Sequence, residues 1–400
     1  MNIFNILKKN ALKFPEKNAL IIDEVIYSYD QFYKLVVQTI QNLKKNNFKQ
    51  KSVVIIVEDN TLPHILSLFA LSYLNATVVP TSTYYSNDHL LDIIKISKAN
   101  SIIGGHKYCS FFKKNSLIKN FLCTDRFVKF PFFFQKQFFY SLPKCISNNN
   151  KDFIITMSSG STAKPKPIVY SQNTKIIRSE LFKNLYKVNQ NDTIIVTSPI
   201  DHSLGMRTLY VPFLIGGTCV VMNKFTVNMY CNLIKKYNVT LSVLVANQIQ
   251  ELTKDKNFKN FYLKKGLVSA SAKLFDSVKK KIIKKKINLY EMYGAAEIGT
   301  VTSINLSKNK KKVKSVGNSY HNKIQIKIIS NKNKPLPMNK IGEIVCKTPG
   351  IFKNYLSSKT LNSSAFIKGF FKTGDVGYLD KDKYLYFLSR KKYIFRRSGI

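Results

Sequence analysis

A chain of 400 residues, 44% hydrophobic and 22% charged, holds enough apolar material for a large core, which excludes an intrinsically disordered protein. The net charge of +42 comes mostly from lysine, since only six of the 64 basic residues are arginine, and the lysines run along the whole length. Sequence-specific nucleic-acid proteins lean on arginine forks and concentrate their charge, so a lysine-loaded solvated surface is the plainer reading, with weak non-specific polyanion binding as its consequence.

Residues 2–14 have helical apolar spacing and are stopped by Phe14-Pro15, and a second amphipathic helix runs from Tyr29 to Leu43. Ser52–Val57 is a continuous apolar strand, followed by a helix of about fourteen residues, the strand Ala76–Pro80, a helix near Leu90–Ser97 and the strand Ser101–Ile103. The longest uncharged run, Asn60 to Asn87, is interrupted by prolines and reads as a buried helix and strand, not a membrane span. Phe127–Tyr140 breaks the rhythm as a strand-and-loop connection. Alternation resumes with a strand at Phe153–Thr156, a helix over Thr174–Leu185, the strand Thr193–Thr197 and a helix near Thr208–Leu214. It continues through the strand Thr218–Met222, a helix over Asn228–Tyr237, the strand Thr240–Val245, the run Gly266–Ala270 and the strand Leu289–Met292. The lysine runs Lys279–Lys286 and Lys308–Lys314 fit a solvated helix face and an exposed loop. From about Ser315 the strands Ile324–Ile329, Gly342–Lys347 and Tyr384–Leu388 follow without long helices between them. The expectation is an α/β chain, helix-covered mostly parallel sheets over 1–314 and a smaller β-rich subdomain over 315–388.

Six cysteines (Cys109, Cys123, Cys145, Cys219, Cys231, Cys346) show no C-x-x-C pair, and the five histidines are scattered, so neither a zinc site nor a disulfide framework is expected. With no signal-peptide pattern at the N-terminus, a cytoplasmic protein is the expectation.

The chemistry concentrates in Ile154–Lys166. A β-branched run empties into Ser158, Ser159, Gly160, Ser161 and Thr162, with Lys164 and Lys166 beyond. Small hydroxyls and exposed backbone N–H groups make an anion site, and the lysines add fixed charge; a polar connecting loop is the bland alternative. The spacing is not that of the common P-loop. It resembles the phosphate loop of the AMP-forming (adenylate-forming) acyl-CoA synthetase/ligase superfamily, T-S-G-T-T-G-x-P-K-G, with two family glycines replaced by Ala163 and Pro167.

Four more segments resemble that family in order. Tyr293-Gly294-Ala295-Ala296-Glu297 is similar to Y-G-x-T-E, Ser269–Leu274 to S-G-G-A-P-L, and Phe370–Gly377, where Thr373-Gly374-Asp375 reads as a turn displaying a carboxylate, to F-x-T-G-D-x-G. Pro199–Gly205 is similar to P-L-F-H-S-x-G, and Leu388–Gly399 to the hinge, in which Arg390 matches the family arginine. Asn10–Glu16 and Gly342-Glu343-Ile344 agree as well.

The resemblance implies the large N-terminal domain of that fold, spanning 1–388, with a hinge segment at 389–400 and without the family's C-terminal lid domain. It implies ATP and Mg2+ as cofactors, CoA or a carrier-protein thiol as acceptor, and a small carboxylic acid as substrate. On it, Ser158, Ser159, Gly160, Ser161, Thr162, Lys164 and Lys166 hold phosphate, and Ala270 and Ser271 lie beside adenine. Tyr293, Gly294 and Ala295 line the nucleotide, Asp375 takes the ribose hydroxyls, and Arg390 completes the set. Glu297 and Thr162 take the metal. His202, Ser203 and Gly294 face the acid. Lys166, Glu297 and His202 are the catalytic residues. The reaction implied is acyl-AMP formation with release of pyrophosphate, then transfer to the thiol. Alternatives are an amino-acid-activating adenylation domain, half satisfied by Asp201-His202-Ser203, and a truncated nucleotide- or acyl-binding remnant. No specific nucleic acid and no membrane span are expected; a separate C-terminal domain or a homo-oligomer is a possible partner.

Overall fold

The structure is a computed structural model that describes residues 2–114, 117–126, 150–158 and 166–391. It divides into two compact units, Met1–Ser179 with Asn189–Lys224, and Glu180–Val188 with Phe225–Ile400. The Phe127–Tyr140 segment and the loop residues Ser159–Pro165 lie outside the described residues, as do 392–400.

In chain order the first unit holds α1 (Ile3–Lys13), β1 (Asn18–Ile22), β2 (Val25–Ser28), α2 (Tyr29–Lys45), β3 (Val53–Val57), α3 (Leu62–Leu74) and β4 (Thr77–Thr81). There follow α4 (Asn87–Ser97), β5 (Ser101–Gly104), α5 (His106–Lys113), β6 (Asn120–Cys123), β7 (Asp152–Ser158) and β8 (Lys166–Ser171). The helix α6 (Gln172–Tyr186), β9 (Thr193–Val196), α7 (Ser203–Ile215) and β10 (Thr218–Val221) complete it, the residues of α6 after Ser179 belonging to the second unit. One sheet runs β8-β7-β4-β3-β5-β6, parallel except for the β7–β8 hairpin. In another, β9, β10 and β1 are parallel and β2 closes the edge antiparallel.

Local chemistry explains these elements. Ser28 and Gln31 form a reciprocal capping box at the start of α2. Thr61 caps α3 and Pro63 occupies its first turn, while Asn75 ends it in the left-handed conformation. The helix α3 is apolar on every side, as a helix buried all round must be. Phe32, Phe69 and Phe213 pack from α2, α3 and α7 with ring centroids 4.8–5.4 Å apart, locking three helices together.

The second unit holds α8 (Val227–Lys236), β11 (Leu241–Val245), α9 (Ala246–Lys254), β12 (Gly266–Ala270), α10 (Asp276–Lys284), β13 (Leu289–Ala295) and β14 (Gly299–Asn305). It continues with β15 (Asn318–Ser319), β16 (Gln325–Ile329), β17 (Gly342–Lys347), β18 (Asn354–Tyr355), α11 (Lys359–Ser364), β19 (Phe366–Ile367), β20 (Phe370–Leu379) and β21 (Leu385–Arg390). Here β11, β12 and β13 are parallel, with β14 and β15 added antiparallel. The strands β16, β17 and β20 form a separate antiparallel sheet in which β20 also pairs β19 and β21. No helix among the described residues is long and apolar enough to cross a membrane.

Three local readings change. The helix expected near Thr208–Leu214 begins five residues earlier, at Ser203. The Thr373-Gly374-Asp375 segment is part of the strand β20 and not a turn, although Gly374 keeps a left-handed φ of 70°. Lys279, read as part of a solvated face, is 1% exposed.

Candidate functional site

In the second unit the ends of β12, β13, β20 and β21 converge on one cleft, lined by Ser271, Glu291, Tyr293, Gly294, Asp375 and Arg390 among others. Parallel strands deliver side chains at their C-terminal ends, the usual place for a ligand in an α/β sheet.

Asp375 is the centre of it. The residue is 3% exposed. The Tyr293 hydroxyl donates to its Oδ2 at 2.7 Å, and the backbone N–H of Asp375 donates to the Thr373 hydroxyl at 3.1 Å. Arg390 faces it across the β20–β21 ladder, with Nε 3.0 Å from Oδ1 and a second nitrogen donating to the Thr373 carbonyl at 3.2 Å. The Nε approach is an ion pair without the alignment of a hydrogen bond, so Oδ1 has no directed donor. Burial pushes the Asp375 carboxyl above the usual carboxylate range, with the Tyr293 hydrogen bond and the Arg390 charge pulling the other way. Burial, then the Asp375 charge, raises the Tyr293 phenol well above its ordinary value.

Gly294 has to be glycine. A Cβ there would lie 2.0 Å from the Gly299 carbonyl oxygen across the β13–β14 hairpin. Ala295 ends β13, and Glu297 sits in the tight connection to β14. The Tyr355 hydroxyl donates to Glu297 Oε1 at 2.8 Å, and the Phe352 N–H donates to its carbonyl at 2.6 Å, so the glutamate is held in place. Among the described residues no three His, Cys, Asp or Glu side chains cluster as a metal site.

Ala270 closes β12 and is buried, while Ser271 follows it with φ 72°, a left-handed conformation costly for any side chain. Glycine is free to adopt this geometry. Ser271→Gly is therefore expected to stabilise the protein by roughly 0.5–1 kcal/mol, the strain relieved less the added chain entropy. An unchanged or lower urea midpoint would refute the strain.

The remaining expected residues belong to the first unit. Ser158 and Lys166 are the last register pair of the β7–β8 hairpin. Ser159, Gly160, Ser161, Thr162 and Lys164 lie outside the described residues. His202 is the exposed N-cap of α7, making no side-chain capping bond, and Ser203 is its first helical residue. Gly205 permits this entry, because a Cβ would lie 2.1 Å from the Pro199 carbonyl oxygen. Asp201 is buried, which raises its carboxyl above the usual range. The expected hinge is tied down where described: Arg390 belongs to β21, and Lys391 Nζ donates to Glu343 Oε2 at 2.8 Å.

Sequence reading missed the pair behind the cleft. Lys279 Nζ of α10 lies 2.5 Å from Glu291 Oε2 of β13, at 1% and 4% side-chain exposure, and donates to the Val313 carbonyl at 2.9 Å. Burial raises the Glu291 carboxyl and Lys279 opposes the shift. Apolar residues at helical spacing around Lys279 were the available signal: Phe275, Ile282 and Ile283 stand at i−4, i+3 and i+4.

A buried carboxylate lining a cleft at the ends of sheet strands, beside an aromatic ring and a close-approach glycine, is the arrangement of an α/β protein with a polar ligand site. The chain belongs to the AMP-binding enzyme family, whose model matches residues 7–356. It is 24% identical to 4-coumarate–CoA ligase 1 of Petroselinum crispum over 98% of this chain and 76% of that protein. With 2-succinylbenzoate–CoA ligase of Oceanobacillus iheyensis it shares 25% identity over 98% of this chain and 80% of the relative. Among solved structures, the N-terminal domain of FACL13 from Mycobacterium tuberculosis superposes with a TM-score of 0.88 at 19% identity, covering 97% of this chain and 99% of that one. The o-succinylbenzoate CoA synthetase of Bacillus subtilis in complex with ATP and magnesium gives 0.86 at 19% identity, covering 97% of this chain and 80% of the other. The fold is that of the N-terminal domain of adenylate-forming ligases.

Proposed function

We propose that this enzyme joins a small carboxylic acid to AMP at the expense of ATP, releasing pyrophosphate, and then passes the acyl group to a thiol, CoA being the first choice. The observation that supports it best is Asp375, which lines the cleft and is locked by Tyr293 and Arg390, a carboxylate suited to accept a ribose hydroxyl. Tyr293 has two tasks in this reading, an apolar wall for the base and an orienting hydroxyl for the aspartate. Relatives named as CoA ligases, and structures named with AMP, with an acyl-adenylate and with ATP and magnesium, support the same chemistry.

The region 1–388 is the nucleotide-binding part and 389–400 the hinge in this proposal. The donor set suits Mg2+, a hard cation that takes one or two carboxylates and completes its shell with phosphate oxygens and water. Glu297, a single oriented carboxylate, would hold it with Thr162, and the bound ion would offset the negative charge of the triphosphate. Lys166 and the serines of the loop would place fixed positive charge and N–H donors against the phosphates as charge shifts to the leaving pyrophosphate. His202 at the mouth of α7, with Ser203, would position the attacking carboxylate, and Gly294 would keep its backbone clear.

Exchange of labelled pyrophosphate into ATP, run with aromatic and aliphatic acids, tests the proposal. Exchange above background with at least one acid, and AMP release on adding CoA, are expected. ATP binding without exchange for any acid would leave a nucleotide-binding protein and overturn the reading.

A further inference from the structure

The strand β3 runs into Glu58-Asp59-Asn60, three polar residues ahead of the capped start of α3. Asn60 is 3% exposed, and its carboxamide is bonded on every side. Nδ2 donates to the Ser198 carbonyl at 3.1 Å and to the Met222 carbonyl at 2.9 Å, and Oδ1 accepts from the Ile200 N–H at 2.8 Å. The partners fix which way the amide points, because a backbone N–H only donates and the two carbonyls only accept. Ser198 and Ile200 lie in the connection from β9 to α7, and Met222 follows β10. One side chain thus fastens the end of β3 to the ends of two strands of the other sheet, all within the first unit.

The β9–α7 connection carries His202. Ile200 stands two residues before it, and the His202 N–H turns back to donate to the Pro199 carbonyl at 3.2 Å. His202 is exposed and makes no side-chain capping bond to α7, so the backbone before it sets where its ring begins. Asn60 works from a rigid mount. Asp59 accepts from Ser82 Oγ at 2.8 Å, from the Thr83 N–H at 3.2 Å and from Thr83 Oγ1 at 2.6 Å, and the Thr61 side chain caps α3. Reacting groups lose their alignment on displacements of about 1 Å, so a side chain that pins the loop at both Ser198 and Ile200 bears on rate as well as on fold. Few side chains could replace it: serine and threonine offer one donor, ionised aspartate none, and glutamine is a methylene longer.

We propose that Asn60 is a positioning residue for acid activation, holding the Ser198–Ile200 segment so that His202 meets the carboxylate of the substrate. This rests on the ligase reading, in which His202 faces the acid. All three of its side-chain bonds go to backbone, so its contribution passes through the loop.

Pyrophosphate-exchange kinetics are measured for the parent, Asn60→Ala, Asn60→Ser, His202→Ala and the two combinations with His202→Ala, with amide hydrogen exchange of the peptide covering 198–203 alongside. Asn60→Ala is expected to lower kcat/KM for the acid by about 100-fold and to raise the KM for the acid, with the KM for ATP within about twofold of the parent. Asn60→Ser, whose hydroxyl can keep one bond, loses less and decides by the same criteria if the alanine variant does not fold. Where His202 is already alanine, a change at Asn60 should cost less than about threefold, because two groups acting as a unit are not additive. Amide hydrogens at 198–203 should exchange faster in the variants while the rest of the first unit is unchanged. A fall in kcat with both KM values unchanged marks a smaller folded fraction and overturns the proposal, as do additive losses in the combined variants. The two readings fail separately. No pyrophosphate exchange by the parent with any acid removes the ligase, and faster amide exchange at 198–203 then keeps Asn60 as the anchor of the loop. Pyrophosphate exchange by the parent with the same acid kinetics in both Asn60 variants removes Asn60 and keeps the ligase.

Discussion

Asp375→Asn is expected to weaken ATP and AMP binding by roughly 10- to 150-fold while leaving the protein at least as stable as before. The binding loss follows from exchanging a charged acceptor for a neutral one, since a hydrogen bond to a charged group contributes about 1.5–3 kcal/mol. The amide preserves the shape, so the Tyr293 hydroxyl, now 2.7 Å from Oδ2, still has an oxygen to meet. Stability moves the other way because burial holds the folded Asp375 carboxyl above its unfolded value. A raised carboxyl binds protons more readily folded than unfolded, so its ionisation costs stability as pH rises from the ordinary aspartate range through the raised value. The variant's advantage should therefore be absent in acid, below both values, and complete at neutral pH. Calorimetry with AMP and urea denaturation at several pH values check the two halves. A variant that binds AMP normally would remove Asp375 from the site, and one destabilised equally at all pH values would show a structural role alone.

That opposition between binding and stability was invisible in the sequence, where Thr373-Gly374-Asp375 reads as a turn displaying an acid. What was legible was the order of segments. Continuous β-branched runs such as Val53–Val57 can only be strands buried on both faces, and they alternate with helices at crossover spacing. Short edge elements such as Val25–Ser28 and Phe366–Ile367 were missed because two to four residues carry too little periodicity. The start of α7 was placed late because Gly205 and Arg207 interrupt the apolar pattern; the glycine is there for the contact with Pro199, which is tertiary. Lys279 was misread for the same kind of reason. A lysine among lysines has the chemistry of a surface, and only the partner on β13 makes it an interior residue.

Lys279→Met should be the most destabilising single change outside the apolar core, on the order of 3–5 kcal/mol at pH 8, because it strands Glu291 without its counter-charge. Glu291 is already raised by burial, and Lys279 is what opposes the shift. With the ammonium gone the folded carboxyl rises further, and the protein must either bury a bare charge or bind a proton. The cost should grow as pH climbs from the ordinary glutamate range through the raised folded value, so the deficit is smaller at pH 5 than at pH 8. Replacing both partners removes the charge as well as the pair, and Lys279→Met with Glu291→Met is expected to recover most of the loss. The pair also has a place in the site. Glu291 stands two residues before Tyr293 on β13, and Lys279 anchors the Val313 carbonyl, one residue before cleft-lining Lys314. In the single variant AMP affinity should fall along with stability, while the double variant, refolded but without these anchors, should stay weaker than the parent. Urea denaturation and AMP titration of the four proteins of the cycle decide it. A single variant within about 1 kcal/mol of the parent at pH 8, far below the range for a broken buried pair, would show that water reaches Glu291 and that the pair is not sealed. Full recovery of AMP binding in the double variant would confine the pair to folding.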